Sequence, residues 1–161
     1  MNAISNVEFK RPVWQSVAML TLGFWLSASL ILDWVVMPSL YVSGMMTQAS
    51  FATAGYTIFW NFNRIELLTA GLALTSVLAL SKTQSNWRRN VVVLSVILVA
   101  VCLIDTYLLT PQMSALGLQL NLFQTIETPE NMNLLHGSYW VLEIVKLIVG
   151  GTLFKWCWKQ V

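Results

Sequence analysis

The chain has 161 residues, 57% of them hydrophobic and only 10% charged, with a formal net charge of +2. Soluble domains carry about 25% charged residues, so this composition excludes a single water-exposed core and points to a membrane. The small positive excess is accounted for by membrane topology and gives no reason to expect a nucleic-acid partner.

Residues Met1–Pro12 form a short arm ahead of the first apolar run. A membrane-crossing helix needs roughly 20 mostly apolar residues. Four runs meet that length, at about Val13–Met37, Phe59–Leu80, Val91–Leu109 and Leu134–Trp156. They use most of the chain, so the predicted fold class is all-α: a polytopic membrane protein with four transmembrane helices, one domain over 1–161. The first run is long enough to span and is expected to be retained rather than cleaved as a leader. Pro12 suits a first helical turn. Pro38 is placed to kink or stop the first helix, and Pro111 to close the third. Ser39–Tyr56 and Gln112–Asn133 are the two long connections, each expected to hold a short interfacial helix. Thr128-Pro129-Glu130 reads as the start of the last helix, and Gly150-Gly151 as a place where a neighbouring helix comes close.

Lys10, Arg11, Lys82, Arg88, Arg89, Lys155 and Lys159 all fall on one side of a four-pass topology. The connections 38–58 and 110–133 contain no Lys or Arg. The positive-inside rule then places both termini in the cytoplasm. Trp14, Trp34, Trp60, Trp87, Trp156 and Trp158 fall at interfacial depth, and Trp25 and Trp140 deeper. Cys102 and Cys157 lie at different depths, so no intrachain disulfide is expected.

Asp33 and Asp105 close the first and third runs, and Glu66 and Glu143 open the second and fourth. With Pro38 and Pro111 they suggest a two-helix unit used twice in parallel. All four acids then fall in the outer part of the membrane, where an ionisable group is a functional-site hypothesis by default. Asn63, Arg64, His136 and Lys146 share that zone. Glu143 and Lys146, three apart, can pair on one helix. Asn63, Glu66 and Ala70 share a face, while Arg64 points elsewhere and would seek Asp33 or Asp105. His136, Trp140, Glu143 and Leu147 fall on one stripe. Against a functional cluster stands a plain alternative, in which these charges are salt bridges fixing helix register and the aspartates reach interfacial water.

His136 is the only histidine. It is open to three roles: an axial ligand to haem or a pigment, a copper ligand, or a hydrogen-bonded core residue, the last being the plainest. Thioethers suit Cu(I), and Met37, Met45, Met46, Met113 and Met132 fall toward the same side as His136. No nucleotide loop, nucleophile triad or zinc-protease pattern is visible, so no enzyme is expected.

The stretch Asp33-Trp34-Val35-Val36-Met37-Pro38-Ser39-Leu40-Tyr41, with Leu135-His136-Gly137-Ser138, resembles the transmembrane-protein-205-like family of small four-helix membrane proteins, distantly similar to CopD-type copper-resistance proteins. The resemblance covers nearly the whole chain. It implies a four-helix membrane fold, a prokaryotic inner or thylakoid-type membrane and a faint suggestion of metal handling. On these grounds the chain is expected to be a non-enzymatic accessory or assembly subunit, with another membrane protein or a second copy as partner. A small proton- or metal-handling transporter using the intramembrane carboxylates is the alternative.

Overall fold

A computed structural model describes residues 13–45, 48, 50–83, 89–123 and 130–159. Among them there is no strand. Helix α1 covers Val13–Ile31 and runs into a widened π-helical turn, Leu32–Val36, and then α2, Met37–Val42. Gly44, at φ +72°, ends this rod in the left-handed conformation that glycine adopts freely. Helix α3 covers Phe51–Thr83. Helix α4, Arg89–Ile104, passes through a second π turn, Asp105–Leu109, into α5, Thr110–Phe123. Helix α6 covers Glu130–Lys159.

Neither proline stops its helix. Proline lacks an N–H, and its ring presses on the carbonyl four residues back. Each π turn ends two residues before a proline, at Val36 ahead of Pro38 and at Leu109 ahead of Pro111. The extra residue in the turn moves that carbonyl out of the way. Met37 N–H bonds Leu32 O and Thr110 N–H bonds Asp105 O, five residues back in both cases. The turns lie 73 positions apart (Leu32 against Asp105, Val36 against Leu109), the same offset as the prolines. The repeat seen in the sequence is therefore also a repeat of backbone geometry.

The four rods pack in a ring. The α1 rod touches α3 and α6, and the α4 rod touches the same two helices. Among the described residues the diagonal pairs, α1 with α4 and α3 with α6, do not approach by backbone. Gln15 Nε2 donates to the Cys157 carbonyl at 2.6 Å and ties the start of α1 to the end of α6. Gly150 permits the α1–α6 contact, because a Cβ there would stand 2.9 Å from Leu26 Cδ2. Gly151 has open space instead. Cys102 and Cys157 are free thiols.

Three helical rods are long and apolar enough to cross a membrane: Val13–Val42, Phe51–Lys82 and Arg89–Gly117. The fourth predicted span, on α6, is as long, yet Glu143, Lys146 and Lys155 make it more polar than the other three. Two rods run past the expected prolines, and α3 begins at Phe51 rather than Phe59. The start of α6 at Glu130 agrees with the expected boundary. In place of the surface-lying helix expected within Gln112–Asn133, α5 continues the α4 rod, and the candidate span Arg89–Gly117 runs into it; residues 124–129 lie outside the described segments.

The bundle is polar inside and apolar outside. Leu20, Leu68, Val141 and Ile148 are 60–75% exposed, whereas Gln15, Ser29, Glu66, Asp105, Glu143 and Lys146 are at most 2% exposed. Water would reverse that arrangement, and lipid tails favour it. Buried positions advance in steps of three and four on every rod: Asn63, Glu66, Ala70, Ala73, Val77, Leu80 on α3, and Tyr139, Glu143, Lys146, Gly150, Leu153, Cys157 on α6. That spacing is the seam of left-handed helix packing. One half of the seam is dry, built from Ala18, Leu22, Ala73, Val77, Leu80, Leu98 and Leu153. The other half carries the charges.

Candidate functional site

The site begins with three seam residues of α1. Trp25 and Ser29 follow the spacing of Gln15, Ala18 and Leu22, and Asp33, four residues after Ser29, continues it at 1% exposed as the widened turn begins. In the second copy, Asp105 is itself the first residue of the π turn and follows Cys102 in unbroken spacing.

Lys146 of α6 crosses the centre of the ring. Its Nζ pairs with Oε1 of Glu66 on the diagonally opposite α3, and with Oε1 of Glu143 one turn back on its own helix. Glu66 Oε1 also accepts from Trp25 Nε1 at 2.9 Å and Ser29 Oγ at 3.1 Å. Three helices thus converge on one carboxylate oxygen. Beside them, Tyr139 OH donates to Asp33 Oδ1 at 2.7 Å. Asn63 Nδ2 donates to Thr110 Oγ1 at 2.7 Å and joins α3 to α5.

The cluster is out of charge balance. Among the described residues, four carboxyl groups, Asp33, Glu66, Asp105 and Glu143, are buried against one buried cation, Lys146. Both oxygens of Asp105 are buried without a hydrogen-bond partner, as are Asp33 Oδ2, Glu143 Oε2 and Thr106 Oγ1. An ionised carboxylate left so costs several kcal/mol even after the protein relaxes. The excess must be neutralised by protons or by a bound cation. Among the described residues no three His, Cys, Asp or Glu side chains converge as a metal-binding set, which favours protons.

Against Asp33 lies a cavity of about 500 Å³, at the end of the bundle expected from the sequence to be outer. Tyr139, Phe59, Trp140 and His136 line it with Asp33. A second cavity of about 30 Å³ lies beside it, against Thr110, Ser114 and Tyr139. That is room for a water among polar groups.

The remaining predicted residues fall outside the cluster. Arg64 does not meet an aspartate; it is exposed, with its guanidinium carbon 3.9 Å from the centre of the Trp60 ring. His136 is exposed too, its Nδ1 2.9 Å from the Met132 carbonyl oxygen. The expected stripe through His136, Trp140 and Leu147 is not the buried one; the seam runs one position earlier, through Tyr139 and Lys146. Asp33 and Asp105 do not reach the protein surface. Met113 and Met132 line the outer cavity, joined by Met37. Met45 is 46% exposed and away from that cavity, and Met46 lies outside the described residues.

Sequence reasoning missed Trp25 and Ser29 as site residues. The signal was their spacing, four and eight residues ahead of Asp33, and the need of a buried indole N–H for an acceptor. Among the tryptophans expected at interfaces, Trp14, Trp34, Trp60 and Trp158 are exposed, and Trp156 packs on the core. Trp25 is buried at 2%, while Trp140, also expected deep, is 38% exposed. Trp87 lies outside the described residues.

Comparison with protein-family models, curated proteins and solved structures gives no match.

Proposed function

We propose that this protein is an integral membrane protein that takes up and releases protons at the Asp33–Glu66–Asp105–Glu143–Lys146 cluster, as the proton-binding element of a small transporter. The observation that carries this reading is the charge imbalance: four buried carboxyl groups, one buried ammonium, and an Asp105 with no partner for either oxygen. Salt bridges serving only to fix helix register have no use for unsatisfied acids. Here the Lys146–Glu66 diagonal is the fixed part, because three donors hold it. Asp33, Asp105 and Glu143 are the exchangeable part.

In this reading all four rods cross the bilayer, α6 included, its polar face turned to the bundle interior. Lys82, Arg89, Lys155 and Lys159 gather at one end of the bundle, and the positive-inside rule makes that end cytoplasmic. The cluster and the outer cavity then face the opposite side, and the dry half of the seam separates them from the cytoplasm. Protons arrive from the cavity at Asp33, which lines it, and pass on to the other buried acids.

Reconstitution tests this reading. Proteoliposomes under an imposed pH gradient are expected to dissipate it faster than empty liposomes, and Asp105→Asn and Glu143→Gln are expected to cut that rate at least tenfold. Wild-type vesicles no leakier than empty ones would contradict it. A second reading, an accessory subunit of a larger membrane complex, draws on the large exposed apolar side chains around the bundle. It predicts a stoichiometric membrane-protein partner after gentle solubilisation from native membranes.

A further inference from the structure

The outer cavity has the chemistry of a binding site for an organic cation. At about 500 Å³ it falls within the usual range for small-molecule pockets, roughly 300–1,000 Å³. A bare metal ion could not touch more than a fraction of such a wall, even with Met37, Met113, Met132 and His136 on it. Four aromatic side chains line it: Tyr41, Phe59, Tyr139 and Trp140. Three are in edge-to-face contact, Trp140 against Trp34 with ring centres 5.5 Å apart, and Phe59 and Tyr139 against each other at 5.9 Å. Aromatic faces attract a poorly hydrated cation through their quadrupoles, and quaternary ammonium recognition is the familiar use.

A carboxyl group lies against the same wall. Asp33 is 1% exposed and lines the cavity, with one oxygen bonded to Tyr139 and the other, Oδ2, without a partner. The wall is mostly apolar and aromatic, with Asn133 and His136 as further polar side chains, and its one acid suits a lipophilic monocation better than an anion.

We infer that the outer cavity binds a lipophilic organic monocation, and that Asp33 releases a proton when the cation enters and takes one up when it leaves. Charge balances in this step. The protonated carboxyl loses H⁺ to the outer solution, and the carboxylate formed is neutralised by the bound cation. The groups that bear on Asp33 are Tyr139, Glu143 and Lys146 of α6, Glu66 of α3 and Asp105 of the second π turn. His136, on the cavity wall, adds a repelling charge when protonated. The inference rests on the proton-handling reading and names the class of substrate it would serve.

Tetraphenylphosphonium is a suitable probe. Added to the purified wild-type protein in weakly buffered detergent, it is expected to quench tryptophan fluorescence saturably and to release about one proton per cation bound. Its affinity is expected to fall as the medium is acidified, by up to tenfold per pH unit. Asp33→Asn should bind at least tenfold more weakly and release no proton, and Trp140→Leu should also weaken binding. Tetraphenylborate, an anion of the same shape, keeps the test open if Asp33→Asn does not fold, because it is expected not to compete. Equal binding of the two ions would overturn the inference and leave an apolar crevice. Binding without proton release would overturn it too, as would saturable Ag⁺ binding with none of the organic cation. Proton flux in liposomes free of any organic cation is measured separately. A protein that passes protons but binds no tetraphenylphosphonium would overturn this inference alone.

Discussion

Lys146 holds the largest fully buried side chain in the bundle, and its value lies in what it neutralises. Replacing it with Met keeps the volume and removes the only cation among the buried charges. The Glu66 carboxyl then loses its cation and keeps only the donors from Trp25 and Ser29. Breaking a buried pair from one side costs about 3–5 kcal/mol, so Lys146→Met should lower unfolding stability in detergent by roughly that amount. Adding Glu66→Gln to Lys146→Met should restore much of it, and a double change no better than the single would show that the pair is not the stabilising contact. The two glutamates are not equivalent either. Glu66 Oε1 has donors from α1 and α6, whereas the described donor to Glu143 comes from its own helix. Glu66→Gln should therefore destabilise the fold more than Glu143→Gln, by about 1–3 kcal/mol on the scale of charge-assisted bonds. Thermal unfolding of both variants checks the order.

Each helix adds a constraint that single residues do not. Spacing in threes and fours made much of the seam legible in the sequence: Asn63, Glu66 and Ala70 share a face, Arg64 does not, and Lys146 pairs with Glu143 as expected. What spacing could not show is the widened turn. A π turn changes the phase of every later residue by one position, and only the proline two residues beyond hints at it. Asp33, in regular spacing with Trp25 and Ser29, lies before that shift; the prolines lie beyond it and looked like places to kink or end a helix. Arg64 took an aromatic face instead of an acid because Trp60, four residues back on the same helix, was already within reach. Deleting Val35 should convert the first π turn to ordinary α-helix. Circular dichroism is expected to stay unchanged, while proton flux is lost because Met37, Pro38 and Tyr41, beyond the deletion, leave the wall of the cavity next to Asp33. Retained flux would show that the widened turn does not set the site. Gly150→Val tests the α1–α6 contact. The added methyls meet Leu26, and overpacking of this kind costs about 1–3 kcal/mol, read as a lower unfolding midpoint.

At the scale of the whole molecule, the apolar exterior and the end-clustered basic residues make a topology that labelling can read. Single cysteines in place of Lys82 and Lys155 should react only with cytoplasmic reagents, and one in place of Gly44 only from the opposite side, in a background with Cys102 and Cys157 replaced by Ala. Labelling of Gly44 and Lys155 from the same side would reduce the spans from four to three and leave α6 on one surface. The composition made membrane residence plain from the start. The partners of the acids were less plain, because they come from helices that lie far apart in sequence and meet only across the ring.

The central claim is that the buried acids outnumber their cations and carry the difference as protons. Infrared spectroscopy of the reconstituted protein reads this directly, because protonated carboxyl groups have a carbonyl stretch that ionised ones lack. At neutral pH wild-type protein is expected to show such bands, shifted in D₂O, fading as the outer solution is made alkaline, and diminished in Asp105→Asn. Absence of the bands at neutral pH, with Asp33, Asp105 and Glu143 all ionised, would contradict the account.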